Sequence, residues 1–447
     1  MNVLIISHNV LGGSSGMGKT LKTYFSGIPE WRISQFYIHS EVPTDQDVCV
    51  SYYRFTDMDA VRSFIPFYTA GTVFNKNDIE PDRSFSRTDR GLLGDVYQYG
   101  RRRTPAIYLA RNAVWRRRGW KSERFRMWID EISPDIVFLA AGDYAFIYDV
   151  ALYAAEYAGC ALVVLCTDDY YLEYDQSQAE DSTDKKSLPE LVAGRQLLKT
   201  ARKTMRRSEC ILCMCDEMRD RYRELFRRPA VTVYTGAPGR KQKSQKPMDC
   251  MVSYVGYLGG NRYRSLIELG NAIADLEMEN GPYAIDVYSN EKRVDVLKRL
   301  KEARGIRFHG EADQETAENV IADSTYVVHV EGFDSESRKG VRYSISTKIA
   351  DYLMNGPCII AYGPEEAASM KYLSENGAGF VITEQNRLTE DLKKLFSEND
   401  HGDRIEKARR LARKNHDPAV VRQRTEKIMK QAIRRYQNRQ KEGRDVF

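Results

Sequence analysis

At 447 residues the chain exceeds what one ordinary core encloses, and two domains of roughly 200 residues each are expected. A 42% hydrophobic share is enough for packed interiors, and a net charge of +5 is too modest at this length to argue for nucleic acid. No run of 18 uncharged apolar residues predicts a membrane-spanning helix. The start, MNVLIISHNVL, lacks the basic segment and cleavage site of a signal peptide, so a reduced, cytoplasmic protein is expected.

The chain opens directly as a strand, Val3–Ser7. Then comes Gly13-Ser14-Ser15-Gly16-Met17-Gly18-Lys19-Thr20, which fits the phosphate-loop pattern G-x-x-x-x-G-K-[ST]. Glycines let the backbone approach a phosphate, and the helix that follows offers unpaired N–H groups and a positive dipole end. Alone, the pattern argues for a nucleotide triphosphatase or kinase. Two features oppose that reading. SHNVLG separates Ile6 from Gly13, whereas a phosphate-loop strand runs almost directly into its first glycine. The chain also carries a second Rossmann-like half that such an enzyme does not need. A nucleotide-sugar site using Gly16, Gly18 and Lys19 is preferred, with the triphosphatase and a plain glycine turn as alternatives.

Residues 101–126, RRRTPAIYLARNAVWRRRGWKSERFR, hold ten basic residues and one acid, interleaved with Tyr108, Trp115 and Trp120. Basic plus aromatic is the composition of a segment lying on an anionic bilayer. A solvated helical face is the competing reading.

Strands are predicted at Ile136–Ala140, Leu162–Cys166, Cys210–Met214 and Thr232–Tyr234, with a helix over Val150–Ala158. Strands alternating with helices mean parallel sheets covered on both faces. Thr167-Asp168-Asp169 stands at a strand end, where open α/β sheets bind ligands. Asp168 or Asp169 either orients an acceptor hydroxyl or caps the loop. Of the eight cysteines, only Cys210, Cys213 and Cys215 cluster, inside an apolar run without a second ligand pair. They read as buried core rather than zinc ligands, and no metal is expected.

GAPGRKQKSQKPMDC, 236–250, has linker composition. The alternation restarts beyond it, with strands at Met251–Val255, Tyr283–Tyr288, Ile306–Phe308, Tyr326–Val330, Cys358–Ala361 and Gly379–Ile382, and a helix over Arg264–Leu276. Two Rossmann-like halves joined near residue 240 and facing a cleft are the economical reading. The predicted domains are 1–240 and 250–410. Basic helices over 411–447, broken at His416-Asp417-Pro418, are expected to pack back on the first domain.

In the second half, VSYVGYLGGNRYRSLIELGNAI runs strand, glycine loop, helix. Gly256, Gly259 and Gly260 can bring backbone near a diphosphate, and Arg262 at the helix entry can pair with its oxygens. A solvated helix-start arginine is the plain alternative. Ser346-Thr347-Lys348 opens a later helix as a second anion pocket. Asp351, one turn in, is placed to accept from a ribose diol or merely to satisfy the helix dipole.

These pieces resemble the retaining GT-B glycosyltransferases of family 4, especially a bacterial subgroup linked to surface polysaccharide assembly. The matching segments are GMGKTL (16–21), ISQFYIHSEVPT (33–44), YYRFTDMD (52–59), PDIVF (134–138), VVLCTDDYYLE (163–173), YVGYLGGNRYRSL (254–266) and STKIADYLMNGPCIIAYGP (346–364). The resemblance implies an α/β GT-B fold of two Rossmann-like domains and transfer of a sugar from a nucleotide sugar, UDP being the expected carrier. It implies retention of configuration and a glycan, lipid-linked glycan or other cell-envelope acceptor, at the inner face of the membrane. By position, Gly16 and Gly18 match the family's glycine loop, Arg262 and Lys348 its diphosphate cations, and Asp351 its ribose carboxylate. The chain departs from the family twice. Thr167-Asp168-Asp169 replaces a common histidine, and the paired glutamates are missing: Tyr343 stands eight residues before Asp351, with Glu331 further back. Glu331 is the remaining candidate to face the sugar. Besides the glycosyltransferase, a phosphate-loop nucleotidase and a catalytically silent GT-B partner subunit stay open.

Overall fold

A computed structural model of the protein describes residues 1–12, 16–65, 70–79, 104–117, 119–172, 187–239, 250–276, 284–398 and 401–443. Gly13–Ser15 of the glycine loop, residues 101–103 and Arg118 of the basic segment, Glu173, Tyr283 and most of the linker lie outside them. The chain divides into two compact units: Met1–Val233 with Arg422–Phe447, and Tyr234–Val421.

The first unit is built from β1 (Asn2–Ser7), α1 (Gly16–Phe25), β2 (Arg32–Tyr37), β3 (Cys49–Arg54), α2 (Asp57–Arg62), β4 (Thr72–Asn75), α3 (Pro105–Arg116), α4 (Glu123–Ile132), β5 (Ile136–Ala140), α5 (Ala145–Tyr157), β6 (Ala161–Cys166), α6 (Leu188–Arg207), β7 (Cys210–Cys213), α7 (Asp216–Phe226) and β8 (Ala230–Thr232). The second contains β9 (Val252–Val255), α8 (Arg262–Ala274), β10 (Ile285–Tyr288), α9 (Val294–Glu302), β11 (Ile306–Gly310), α10 (Gln314–Asp323), β12 (Tyr326–Val330), α11 (Ser335–Val341), α12 (Lys348–Asn355), β13 (Cys358–Tyr362), α13 (Ala368–Glu375), β14 (Phe380–Ile382), α14 (Leu388–Ser397) and α15 (Gly402–Asn415). A last helix, α16 (Pro418–Lys441), starts in the second unit and from Arg422 belongs to the first.

The first sheet has the order β4-β3-β2-β1-β5-β6-β7-β8, parallel except for β4 against β3. Its middle strands are apolar throughout: β5 and β6 are buried at every residue, as strands covered on both faces must be. The second sheet, β11-β10-β9-β12-β13-β14, is wholly parallel in pairing and has the Rossmann order 3-2-1-4-5-6.

Strands β2, β3 and β4 were not expected. β2 reads RISQFY, and its polar Ser34 and Gln35 hide an element whose last five residues are all buried. Gln35 is tolerated there because its amide is saturated. Nε2 donates to Ser7 Oγ at 2.7 Å and to the Asn9 carbonyl at 3.0 Å, and Oε1 accepts from the Leu11 N–H at 2.9 Å. β2 thereby fixes the segment that leaves β1.

The basic segment 101–126 needs a correction. Trp115 and Trp120, which gave the segment its basic-plus-aromatic composition, are each 1% exposed. Trp115 stacks on Phe146 at 4.2 Å, and Trp120 meets Tyr153 edge-on at 5.4 Å. They are core residues, and a bilayer reading loses its aromatic half. No helix among the described residues is long and apolar enough to cross a membrane. The eight cysteines are free thiols, seven buried and Cys250 partly so.

Candidate functional site

Strand order determines where chemistry can collect. In the second unit the order reverses between β9 and β12, and ligands of open α/β sheets bind beyond the carboxyl ends of strands at such a switch point. β9 runs into Gly256, whose φ of +144° is left to glycine, and a Cβ there would run into the Lys348 side chain. Lys348 opens α12. Its Nζ donates to Tyr254 Oη at 3.1 Å and lies 4.5 Å from that ring's centroid.

Arg262 opens α8 and meets Glu331, the residue that follows β12. Nε and Nη2 donate to the two carboxylate oxygens at 2.7 and 3.1 Å, fork on fork. Glu331 is 2% exposed on its side chain, and its main-chain oxygen accepts from Ser265 Oγ at 2.8 Å. One strand pleat back, His329 places Nε2 3.4 Å from Glu331 Oε1 and 2.9 Å from Ser369 Oγ.

Burial holds the Glu331 carboxyl above its ordinary range even with Arg262 against it. Burial, then the charges of Lys348 and Arg262, keeps His329 neutral. Burial, followed by repulsion from Arg262, pushes the Lys348 ammonium down to about 7, with Glu331 and Asp351 opposing. Two cations thus share one carboxylate, at the amino ends of two helices. Positive side chains at helix amino ends are an arrangement that can take an anion.

The loops around it are clamped. Ser337 Oγ donates to the Gly260 carbonyl at 2.9 Å, and Asn261 Nδ2 donates to Asp334 at 2.9 Å. A Cβ on Gly332 would stand 2.6 Å from the Gly260 carbonyl oxygen. Beside Gly259 stands the ring of Tyr257, which is 64% exposed. Thr347 caps α12 without a side-chain capping bond, and the Ser346 carbonyl accepts from the Ile349 N–H at 3.0 Å. Asp351 sits in the first turn, half-buried, with its carbonyl accepting from Asn355 Nδ2 at 2.7 Å.

No known family and no curated protein matches the chain by sequence. Solved structures do match. HepE from Anabaena, in complex with UDP, superposes with a TM-score of 0.58 at 11% identity, covering 96% of this chain and 100% of that one. The α,α-trehalose 6-phosphate synthase of Burkholderia multivorans gives 0.58 at 11%, covering 96% and 98%. WaaG, a glycosyltransferase involved in lipopolysaccharide biosynthesis, gives 0.53 at 11%, covering 96% and 99%. The fold is GT-B.

In the first unit of this GT-B chain the order reverses between β1 and β5. His8 follows β1, and Gly142-Asp143-Tyr144 follows β5. The Arg111 guanidinium lies 3.9 Å from the Tyr144 ring centroid and binds Asp57 through Nε at 3.1 Å and Nη2 at 3.0 Å. Tyr108 stacks on Tyr144 at 4.6 Å and donates to Asp143 at 2.5 Å. Burial, then the charge of Arg111, lowers His8 to about 4, so its imidazole is neutral. Gly16 and Gly18 lie in the start of α1, and the Gly12 N–H donates to the Gly18 carbonyl at 3.1 Å. Lys19 is exposed. Thr20, which would hold magnesium in a triphosphatase, is 1% exposed.

At the end of β6, Asp169 Oδ1 accepts from the Leu172 N–H and from Tyr222 Oη, each at 2.9 Å. That is the capping arrangement. Asp168 accepts from Tyr170 Oη at 3.0 Å. Among the described residues no three His, Cys, Asp or Glu side chains converge to hold a metal ion.

Of the residues named from sequence, Arg262, Glu331 and Lys348 come together, with Asp351 close enough to bias the lysine. Tyr254, His329 and Ser369, and the His8–Arg111–Tyr144 group, were not singled out as site residues. Alternation along β12 puts His329 on the face of Glu331, a signal present in the strand predicted at Tyr326–Val330.

Proposed function

We propose that the protein is a glycosyltransferase that takes a sugar from a nucleotide sugar, with UDP as the expected carrier. The observation that carries this reading is the pair Arg262 and Lys348, held over a glycine turn at the switch point of a Rossmann-ordered sheet. HepE, solved with UDP, supports the nucleotide, and the glycosyltransferases among the structural neighbours support the reaction class. In transfer, the leaving diphosphate gains charge in the transition state, and fixed cations with helix amino ends stabilise it without reorganising. Lys348 takes the diphosphate directly. Arg262 is aimed by Glu331, to which we assign a positioning role, because both its oxygens are engaged.

The acceptor is proposed to be a glycan or lipid-linked glycan of the cell envelope, received by the first unit near His8 and Asp168, with retention of configuration. Asp351 is proposed for the ribose diol. In this reading Asp169 holds its loop.

A panel of nucleotide sugars tested by calorimetry decides the matter. UDP-sugars should bind, and Lys348→Ala should weaken binding about 10- to 100-fold, the loss of one charge-assisted contact. Failure of every nucleotide sugar to bind would overturn the proposal. Lys19→Ala addresses the phosphate-loop alternative, in which nucleotide binding would vanish altogether.

A further inference from the structure

The amino ends of β7 and β8, opposite the end where sheets of this kind hold their ligands, carry an excess of arginine. α6 closes on Arg207, Glu209 leads into β7, Arg228 precedes β8, and α16 passes alongside with Arg435 and Arg439. Glu209 is the one carboxylate in the group and is 2% exposed on its side chain. Arg439 is ion-paired with Glu209 Oε1, Arg207 Nη1 stands 3.7 Å from that same oxygen, and Arg435 Nη1 donates to the Glu209 carbonyl at 3.2 Å.

Arg207 is only 10% exposed on its side chain, and its guanidinium is 5.3 Å from the Tyr436 ring centroid. Its buried Nη1 and the buried Nε of Arg439 find no hydrogen-bond acceptor among the described residues. Burial, and then the charge of Arg207, holds both Arg228 and Arg439 below the usual arginine value. Guanidinium stays charged throughout the physiological range, so the surplus cannot be relieved by deprotonation. A buried positive surplus with open donors calls for an anion.

We propose that Arg207, Arg228 and Arg439 bind a phosphate group, at a site distinct from the nucleotide-sugar cations. Planar forks match phosphate oxygens in pairs, and Glu209 holds Arg439 in place while Arg207, 3.7 Å from the same carboxylate oxygen, keeps its Nη1 donor without a hydrogen bond. The phosphate belongs either to a small soluble ester or ion or to a lipid headgroup.

The test uses the full chain. Inorganic phosphate, titrated against chloride at constant ionic strength, should raise the melting temperature by about 2–5 °C near saturation. Arg207→Gln and Arg439→Gln should each abolish that rise, while Lys348→Ala should retain it. Sedimentation with phosphatidylglycerol vesicles, against neutral phosphatidylcholine vesicles, distinguishes the source. Binding lost in the two arginine variants assigns a headgroup, and stabilisation by free phosphate alone assigns a soluble ligand. No response to either probe overturns the site. So does a response that survives both arginine substitutions, or one that disappears with Lys348→Ala. Should a glutamine variant fail to fold, Arg228→Lys gives the same comparison at a partly exposed position.

Discussion

Lys348 ties affinity to pH. Its ammonium is held down to about 7, and a bound diphosphate would favour the charged form. UDP affinity should therefore fall as pH rises above about 7, by up to tenfold per unit, with proton uptake on binding at pH 8. For the folded protein the sign is opposite. The unfolded lysine titrates at 10.5, so between about 7 and 10.5 the unfolded chain binds more protons and this group adds stability as pH rises. Calorimetry in buffers of different ionisation enthalpy checks the uptake. Lys348→Met should remove it together with most of the affinity. Absence of uptake in the native protein would mean that this lysine does not meet the diphosphate.

At the scale of elements, close backbone packing gives a sharp test. Gly270 in α8 faces the Gly305 carbonyl before β11, and a Cβ would come within 2.6 Å of that oxygen. That backbone oxygen cannot swing aside as a side-chain tip would, so Gly270→Ala should destabilise the second unit by about 1–3 kcal/mol, read from denaturant midpoints. Most strands were legible because their residues are apolar in a run, as in β5, β6 and β13. β2 was not, since Gln35 is buried for its hydrogen bonds rather than its hydrophobicity. The site divides in the same way. Arg262 and Lys348 stand at helix starts after glycine or hydroxyl residues, which is a local signal. Their link through Glu331, and the neutral His329 behind it, depend on β9 and β12 becoming neighbours across more than seventy residues of chain. No window of sequence contains that pairing. Trp115 and Trp120 misled because basic and aromatic residues together have the composition of a bilayer-surface segment, while the fold buries both tryptophans in the core.

At the scale of the whole molecule, the two units differ in how the chain supplies them. The second is one continuous stretch, Tyr234–Val421, with its own apolar core over β9 to α14. Buried His416 closes it, with Nδ1 2.7 Å from the Thr235 carbonyl oxygen and Nε2 2.9 Å from Tyr372 Oη. A fragment spanning 234–421 should fold alone and bind UDP, whereas 1–233 alone, stripped of Met429 and Ala432 of α16, should not fold stably. Circular dichroism melts of the two fragments check this.

The thiols carry a further consequence. Six of the cysteines, 49, 160, 166, 210, 213 and 215, lie in the first unit, and Cys250 and Cys358 lie in the second. Burial raises all eight, so thiolate is scarce while the fold holds. Alkylation by a maleimide or iodoacetamide then becomes a clock for opening. Beyond an early reaction at partly exposed Cys250, mass accrues only as fast as each core comes apart, and peptide mapping assigns every event to its own unit.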